Sequence, residues 1–434
     1  MTGDWTGKLT GKSSQAVRTL NLRRVVVTGL GAIAPAGNSV PSLWDSLVNG
    51  RSGIDAITLF EANSDWGVRL AGEVRGYDFG KVTDPREARR FDRFALLALG
   101  AALEASQDSG FDFTSEDPYR QGIAMGSGIG GIGTIETGVT SLLQIGCRKI
   151  SPFTVPRLMG NAGAGQISIR LNLKGANIST ATACASGSHA IGTAFQLIQR
   201  GDAEVMVAGG AEAAVTPLCI GAFASMKALS TRNDAPKLAS RPFDKDRDGF
   251  VLSEGAAVIV LEELDHAKKR GAHIYAELLG YGSSGDAFHI AAPDEKGAGA
   301  TRAMANALKD AECNAESVGY INAHGTSTPL GDAAEVAAVK QLFGAHAKKL
   351  AMSSTKSVTG HMLGAAGGIE SVATVLSIEK GVLPPTINLD NPDEGFDLDF
   401  VAHHAQERRV DIAINNSFGF GGHNTSLIFG RFAN

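Results

Sequence analysis

The amino-acid sequence predicts a layered α/β fold made of two similar halves. Short apolar strand candidates alternate with helical patterns along most of the chain, which is the order that α/β folds show. A strand, a turn of small residues and a helix follow one another at 178–198 and again at 352–376. The length of 434 residues suits one body built from two large halves, and we place their boundary near residue 270.

The N-terminal segment 1–20 differs in composition from the rest of the chain. It is rich in serine and threonine and lacks the apolar stretch of a secretory signal. We expect a disordered N-terminal extension here, with an organelle presequence as the alternative. The predicted halves are therefore residues 21–270 and residues 271–434.

Strand candidates in the first half begin at 23–37, where the β-branched run of "RRVVVTGLGAIAPAG" leads into glycine and proline. The segment 91–110 has apolar residues at helical spacing and predicts the first long helix. "ISTATA" predicts a strand that runs into a helix over "SGSHAIGTAFQLIQR". Other apolar runs predict strands at 122–128, 204–210 and 256–264.

The second half restarts this pattern at 274–284, which predicts a strand and loop similar to the opening ones. A helical pattern covers 299–313. Further strands are predicted at 319–326, 350–356 and 411–419. Each half thereby places a chemically capable residue where a helix is expected to begin, Cys184 in the first and His361 in the second.

Composition and charge narrow the possible functions. A net charge of −5 gives no global support to a nucleic-acid partner, and no apolar run approaches the length of a membrane span. The four cysteines form no CxxC pair, and no histidine cluster has the spacing of zinc ligands. This cysteine usage favours a reducing cytosol and predicts neither a disulfide framework nor a zinc site.

The glycine-rich sequence "GSGIGG" at 126–131 follows a predicted strand and matches part of a dinucleotide-binding fingerprint. That fingerprint also requires an acidic residue about 20 positions later, which binds the ribose hydroxyl. No Asp or Glu occurs from 137 to 201. We therefore interpret the motif as a tight glycine turn beside a pocket.

Cys184 lies among small residues in "ATACASGSHAIG" at 181–192. A strand is expected before it and a helix after it, which places the thiol at a helix N-terminus. The helix dipole and free N–H groups there are expected to lower the thiol pKa, and no carboxylate nearby in the sequence opposes ionisation. From these residues alone, a nucleophile and an inert packed cysteine are about equally good interpretations.

Three other small-residue turns at predicted strand ends carry residues that are capable of chemistry. The turns "NAHGTSTPLGD", "STKSVTGHMLGAAGG" and "NNSFGFGGHN" contain, in that order, His324, then Lys356 and His361, then Phe418 and Phe420. Each residue alone has a structural explanation as a satisfied histidine, a surface lysine, a helix cap or a core aromatic. Together they lie where α/β folds place ligand crevices, at the carboxyl ends of strands.

With these motifs the chain resembles the β-ketoacyl-acyl carrier protein synthases, which are condensing enzymes of the thiolase-like superfamily. Four motifs stand in the family's order: "TACASGSHAIG", "NAHGTSTPLGD", "STKSVTGHMLGAAG" and "NSFGFGGHN". The resemblance runs from about residue 23 to the C-terminus and includes "RPFDKDRDGFVLSEGA" and "PPTINLDNPDEG". It implies a thiolase-like fold, which is a duplicated five-layered α-β-α-β-α body with mixed sheets.

The resemblance also implies a reaction, that of the elongating synthase II type. Cys184 is then the nucleophile that accepts the acyl chain, and Lys356 lies beside the histidine pair. His324 and His361 hold the carbonyl of the malonyl thioester. The implied reaction is the decarboxylative condensation of a Cys-bound acyl chain with malonyl-acyl carrier protein, which gives 3-oxoacyl-acyl carrier protein and carbon dioxide. This is the elongation step of type II fatty-acid synthesis, and no metal or organic cofactor is expected.

Further residues are implied to support catalysis, to bind substrate and to dock the carrier protein. The supporting residues are the buried acid Glu370, the gating Phe420 and its neighbour Phe418. The substrate contacts are Ile129, which limits the bound chain, together with Phe223, Thr326 and Thr328. A basic face that suits an acidic carrier protein comprises Arg86, Arg89, Arg90, Arg148, Lys149 and Lys227.

The implied partners are the loaded carrier protein and a second copy of the chain, in the cytoplasm, with neither nucleic acid nor membrane. Ala291 and His423 depart from residues that are common in the family, which puts pantetheine contacts and loop gating in doubt. A polyketide-type ketosynthase shares the triad and is the alternative, as is a non-catalytic partner similar to a chain-length factor. A thiolase needs a second catalytic cysteine, and Cys313 lies outside the motifs. Acyl-chain length, saturation, branching and any structural monovalent cation are left open.

Overall fold

A computed structural model describes residues 21–433, and the predicted extension at 1–20 lies outside the described residues. The strands are Val25–Ile33 (β1), Ile54–Ala56 (β2), Leu70–Gly72 (β3), Gln121–Gly126 (β4), Asn177–Thr180 (β5), Val205–Glu212 (β6), Gly255–Glu263 (β7), Ala276–Gly285 (β8), Tyr320–Asn322 (β9), Ala351–Ser353 (β10), Val382–Leu383 (β11), Gln406–Glu407 (β12), Ile412–Gly419 (β13) and His423–Gly430 (β14). The α-helices are Val40–Val48 (α1), Pro85–Ala88 (α2), Arg93–Ser109 (α3), Ile132–Gln144 (α4), Thr154–Leu158 (α5), Ala162–Leu171 (α6), Ser186–Gln199 (α7), Pro217–Ser225 (α8), Leu264–Lys269 (α9), Ala298–Asp310 (α10), Pro329–Phe343 (α11), Lys356–Thr359 (α12) and Ala366–Lys380 (α13).

The main sheet consists of two five-stranded units with the same strand order. The first unit runs β5-β4-β6-β7-β1 and the second runs β10-β9-β13-β14-β8. In each unit one strand, β7 or β14, is antiparallel to its two neighbours, while the other pairs are parallel. The units meet where β1 pairs with β8 in an antiparallel register of three residue pairs. The matching order confirms the predicted duplication with mixed sheets.

The helices form the other layers of the body. Helices α7 and α13 contact each other and lie between the two sheet units. Helices α3 and α6 cover the outer face of the first unit, and α10 and α11 cover the second. This arrangement is the predicted α-β-α-β-α order. It buries both faces of the parallel strands β4 and β6, which are mainly apolar, whereas the edge strand β5 is partly exposed.

One predicted strand is shorter in the structure, and another strand was not predicted. The strand predicted at 350–356 ends at Ser353, because the N–H of Ser354 donates to the Thr386 side chain instead of a neighbouring strand. The chain then turns into α12, which begins at Lys356. The last strand, β14, was not predicted, because "HNTSLIFG" opens with polar residues and shows little alternation.

The core is built from small and β-branched side chains that allow close approach of helices to strands. A side chain at Gly31 of β1 would lie 1.9 Å from the carbonyl oxygen of Ala101, so glycine lets α3 pack directly on the strand.

Within the described part of the chain, no helix is both long enough and apolar enough to span a bilayer.

Candidate active site

A cavity of about 570 Å³ opens at the carboxyl ends of the strands and is lined by both halves. It brings together five of the residues predicted from the four turns, which are Cys184, His324, His361, Phe418 and Phe420. Lys356 and Glu370 do not line this cavity and lie buried behind it. The turns that are far apart in the sequence therefore converge on one place.

Cys184 lies in a three-residue 3-10 turn, Ala183–Ala185, that leads directly into α7. The turn begins with Ala183 in a left-handed conformation, at a φ of 49°. The Ser186 side chain stabilises it by accepting from the N–H of Thr182 and donating to the Ala183 carbonyl. Underneath, Gly126 approaches so closely that a side chain there would lie 2.3 Å from the Ser186 carbonyl carbon.

The prediction that the helix start lowers the pKa of the Cys184 thiol is wrong. Burial raises the thiol pKa to about 12, and the field of Lys356 offsets this only in part. The carboxylate of Glu212 also disfavours the thiolate, although it is distant in sequence. The thiol is therefore neutral at rest, and an attacking thiolate has to form during the reaction.

The two histidines face Cys184 from the second half. The Cys184 sulfur, one ring nitrogen of His324 and one ring nitrogen of His361 all lie within 4.8 Å of one another. Backbone groups hold the histidines in place, because the His324 N–H donates to Glu335 at 2.9 Å and the His361 N–H donates to the Val251 carbonyl at 2.8 Å. A thiol and two imidazoles also suit a transition metal, so the expectation that no metal is needed stays a prediction.

The histidine rings carry free hydrogen-bonding capacity. His324 Nδ1 and both ring nitrogens of His361 are buried and have no hydrogen-bond partner among residues 21–433. Burial and the nearby Lys356 lower the pKa of both histidines well below the ordinary value, so both imidazoles are neutral. Neutral rings can each donate one N–H to an oxygen that enters the cavity.

Lys356 is buried, which excludes the alternative explanation of a surface lysine. Its side chain is 1% exposed, and its ammonium group donates to Glu370, which is 2% exposed. Burial raises the pKa of Glu370 to about 7, although the ion pair acts in the opposite direction. The pair places a positive charge behind the histidines, which keeps them neutral.

His361 does not lie where α13 begins, which corrects the predicted equivalence with Cys184. The residues that match the Cys184 turn are Leu363–Ala365, a three-residue 3-10 turn directly before α13. Leu363 is left-handed at a φ of 45°, as Ala183 is in the first half. Gly364 is therefore the counterpart of Cys184, and His361 lies three residues earlier, where it forms a bridge with Leu252.

The loop between β13 and β14 closes the cavity beside the thiol. Burial raises the pKa of the Cys184 thiol, and the backbone N–H groups of Phe420 and of Cys184 itself offset this in part. The Phe418 ring packs edge-on against His324 at 5.8 Å. Phe420 is 36% exposed at the cavity mouth, which is the position its predicted gating role requires.

The predicted substrate contacts all line the cavity, namely Ile129, Phe223, Thr326 and Thr328. The hydroxyls of Thr326 and Thr328 lie 3.0 Å apart. Ala291 also lines the cavity, so this departure from the family pattern faces the cavity. His423 is exposed and packs against His189, with ring centroids 6.5 Å apart.

The six residues of the predicted docking face are all exposed: Arg86, Arg89, Arg90, Arg148, Lys149 and Lys227. Arg90 stacks over the Phe153 ring at 5.3 Å, and Lys227 also lines the cavity. Their docking role stays a prediction.

Two buried acids at the site were missed by the sequence reasoning. Glu335 on α11 accepts the N–H groups of His324 and Gly325, and Glu212 at the end of β6 accepts those of Gly128 and Gly364. A charged residue at the end of an otherwise apolar strand, "VMVAGGAE", was the available signal for Glu212.

Comparison with known proteins agrees with this geometry. The beta-ketoacyl synthase N-terminal domain matches residues 22–267, and the C-terminal domain matches residues 275–390. The chain is 53% identical to 3-oxoacyl-[acyl-carrier-protein] synthase 2 of Coxiella burnetii, over 94% of this chain and 99% of that one. It is 52% identical to the Vibrio harveyi protein of the same name, over 95% and 100%.

Among solved structures, a type II polyketide synthase acyl-carrier protein in complex with its ketosynthase provides a close match. The ketosynthase fold superimposes with a TM-score of 0.89 at 34% identity and covers 95% of this chain and 100% of that one. Two family models over most of the chain, together with these relatives, show that the chain belongs to the beta-ketoacyl synthase family.

Proposed function

We propose that this chain is a condensing acyltransferase that elongates acyl chains by two carbons on an acyl carrier protein. The observation that carries the proposal is the convergence of a buried thiol and two neutral, unpartnered histidines in one cavity. The family membership and relatives at about 50% identity support the same activity.

The first step is transfer of the acyl chain to Cys184. The sulfur attacks the thioester carbonyl, the bond to the carrier's sulfur breaks, and the thiol proton leaves with the carrier's thiol. The tetrahedral intermediate carries a negative oxygen, and we assign its stabilisation to the backbone N–H groups of Cys184 and Phe420 beside the sulfur. Because these donors are backbone groups, no side-chain rotamer has to change to position them.

The second step uses the histidine pair. The malonyl thioester oxygen accepts N–H groups from His324 and His361, which stabilises the charge that develops when the carboxylate leaves as carbon dioxide. The enolate carbon then attacks the acyl carbonyl on Cys184, and the bond from that carbonyl to sulfur breaks. The product stays on the carrier, and the thiolate of Cys184 takes one proton from water.

Lys356 and Glu370 act through the histidines in this scheme. The ammonium group lies too deep to line the cavity, and its charge adds to the effect of burial in lowering the pKa of both rings. A protonated histidine could still donate, but its burial without a counterion would be costly. The ion pair with Glu370 in turn keeps the lysine in place.

The carrier protein is the partner that the exposed basic residues fit. A cluster of basic residues attracts and orients a protein with an acidic surface. Lys227 lines the cavity, so this cluster extends to the cavity entrance. The same acyl-carrier pairing is present in the polyketide neighbour. We place the enzyme in the cytoplasm, and we propose that it acts away from the membrane.

A second copy of the chain is also proposed as a partner. The edge strand β5 pairs with a neighbour on one side only, and exposed apolar side chains cluster on α4 to α6 nearby. These side chains include Leu142, Leu143, Ile145, Val155 and Ile169. An apolar area with an open strand edge is typical of an interface between copies.

The experiment supplies purified chain with acyl-carrier protein and malonyl-carrier protein, and identifies products by mass spectrometry. We expect carbon dioxide and one 3-oxoacyl product, two carbons longer than the acyl donor. Repeated extension without intervening reduction would instead support the polyketide alternative. Failure to form any extended product with any acyl donor would contradict the proposal.

A further inference from the structure

Glu212 is a buried carboxylate that neither proposed step uses. It ends β6 with a fully buried side chain and lies behind the cavity wall. Its surroundings are unusual, because four hydrogen-bond donors from two separate turns converge on its two oxygens. Its role therefore has to be sought in what those turns carry.

The donors divide evenly between the two oxygens. Oε1 accepts from the Ser127 hydroxyl at 2.8 Å and from the Ile129 N–H at 3.2 Å. Oε2 accepts from the Gly128 N–H at 2.7 Å and from the Gly364 N–H at 3.0 Å. An ionised carboxylate accepts all four bonds, whereas an amide would direct its own N–H groups at two of these donors.

Both turns contribute to the wall of the same cavity. Ile129 lines the cavity from the first half, and Leu363, directly before Gly364, lines it from the second. The turns meet so closely that a side chain at Gly364 would lie 2.4 Å from the Gly128 nitrogen. Glu212 thus connects the two halves by hydrogen bonds to both turns at the wall of the cavity.

We propose that Glu212 is a positioning residue that sets the acyl-chain selectivity of this cavity by fixing the separation of Ile129 and Leu363. The inference rests on the proposed function. Glu212 touches no substrate and sets selectivity through the backbone of the two turns, whereas its field at Cys184 affects acylation by long and short chains alike. When these hydrogen bonds are lost, Ile129 can move away from Leu363. The cavity then discriminates less between acyl chains of different length.

The histidine step should be spared, because His361 is held independently of Glu212. Its N–H donates to the Val251 carbonyl at 2.8 Å, and its carbonyl accepts the Ser253 N–H at 3.0 Å. A general structural role would slow both steps together. A positioning role changes the chain-length preference of acylation and leaves malonyl decarboxylation nearly constant.

The test compares acylation of Cys184 by a long-chain and a short-chain acyl-carrier protein in wild type and Glu212→Gln. We expect the ratio of the two rates to change by about tenfold, a size typical of altered apolar pockets, with decarboxylation within about twofold. Glu262→Gln is the control, because Glu262 is also a buried strand carboxylate but contacts Thr28 and Arg270, away from the cavity. Its ratio should match wild type.

A double-mutant cycle with Ile129→Ala identifies the path of the effect. If Glu212 acts through Ile129, Glu212→Gln should not alter the ratio further in the Ile129→Ala background. Ser127→Ala removes one of the four hydrogen-bond donors to Glu212 and replaces Glu212→Gln in the test if that variant does not fold. We expect it to change the ratio of acylation rates in the same direction by a smaller amount.

An unchanged ratio, or additive effects in the cycle, would overturn the inference. Acylation of wild-type Cys184 separates this outcome from failure of the proposed function, because the function fails only if wild type itself is not acylated.

Discussion

The turns before α7 and α13 have the same backbone and different chemistry. Both are three-residue 3-10 turns, and both open with a left-handed residue, Ala183 at a φ of 49° and Leu363 at 45°. The central residue is Cys184 in one and Gly364 in the other. The first turn faces the cavity with its side chain, whereas the second is packed against Gly128 and has no room for one.

The comparison explains why the site is asymmetric in a symmetric fold. Duplication supplied two equivalent turns, but only the first carries the nucleophile. The second half contributes His324 from the segment after β9, and Lys356 and His361 from α12 and the residues that follow it. In the proposed mechanism, one half holds the acyl chain and the other activates the extender unit.

The largest effect is expected from removing the thiol that distinguishes the two turns. Cys184→Ala makes the first turn chemically as inert as the second, and elongation should fall by about 10⁴-fold or more, because no covalent intermediate forms. Product formation from acyl- and malonyl-carrier protein measures it. Thermal unfolding of the variant provides the control for folding, and elongation near the wild-type rate would contradict the account.

His361→Ala breaks the contribution of the second half alone. Loss of one N–H donor to the developing enolate should slow elongation by about 10²- to 10³-fold, while Cys184 still accepts an acyl chain. Separate assays of acylation and of carbon dioxide release measure the two steps. Equal losses in both would show that the histidine serves the whole site rather than the second step.

Gly364→Ala tests whether close packing against Gly128 leaves no room for a side chain at the centre of the second turn. The added methyl would lie 2.4 Å from the Gly128 nitrogen, so the variant should lose about 1–3 kcal/mol in free energy of unfolding. Gly165→Ala on α6 is the matched control, because a side chain there meets nothing within 4 Å. Chemical denaturation measures both, and equal stability of the two variants would contradict the close packing.

The pH dependence of alkylation sharpens the description of the first turn. Burial raises the pKa of Cys184 to about 12, so the folded protein holds the thiol protonated and the thiolate fraction rises with pH throughout the accessible range. Alkylation of Cys184 by iodoacetamide should accelerate by about tenfold per pH unit without a plateau. Peptide mass spectrometry distinguishes Cys184 from the exposed Cys147, and a plateau near neutral pH would indicate a thiolate–imidazolium pair instead.

The sequence was sufficient to predict the layered duplicated fold and the four turns that converge. The predictions that failed depend on tertiary surroundings. The pKa of Cys184 follows from burial by residues distant in the chain, and His361 is not the counterpart of Cys184 because the turn Leu363–Ala365 leads into α13. Glu335 binds backbone N–H groups, which leave no pattern of side chains to recognise.

In the proposed mechanism, Cys184 of the first half carries the acyl chain. The histidines of the second half stabilise the enolate that removes this chain from the sulfur. The most direct measurement is the mass of His361→Ala after incubation with acyl-carrier protein and then with malonyl-carrier protein. We predict an acyl adduct on the Cys184 peptide that persists in the variant, whereas malonyl-carrier protein clears it from wild type. An adduct on another residue, no adduct, or clearance at the wild-type rate would contradict the claim.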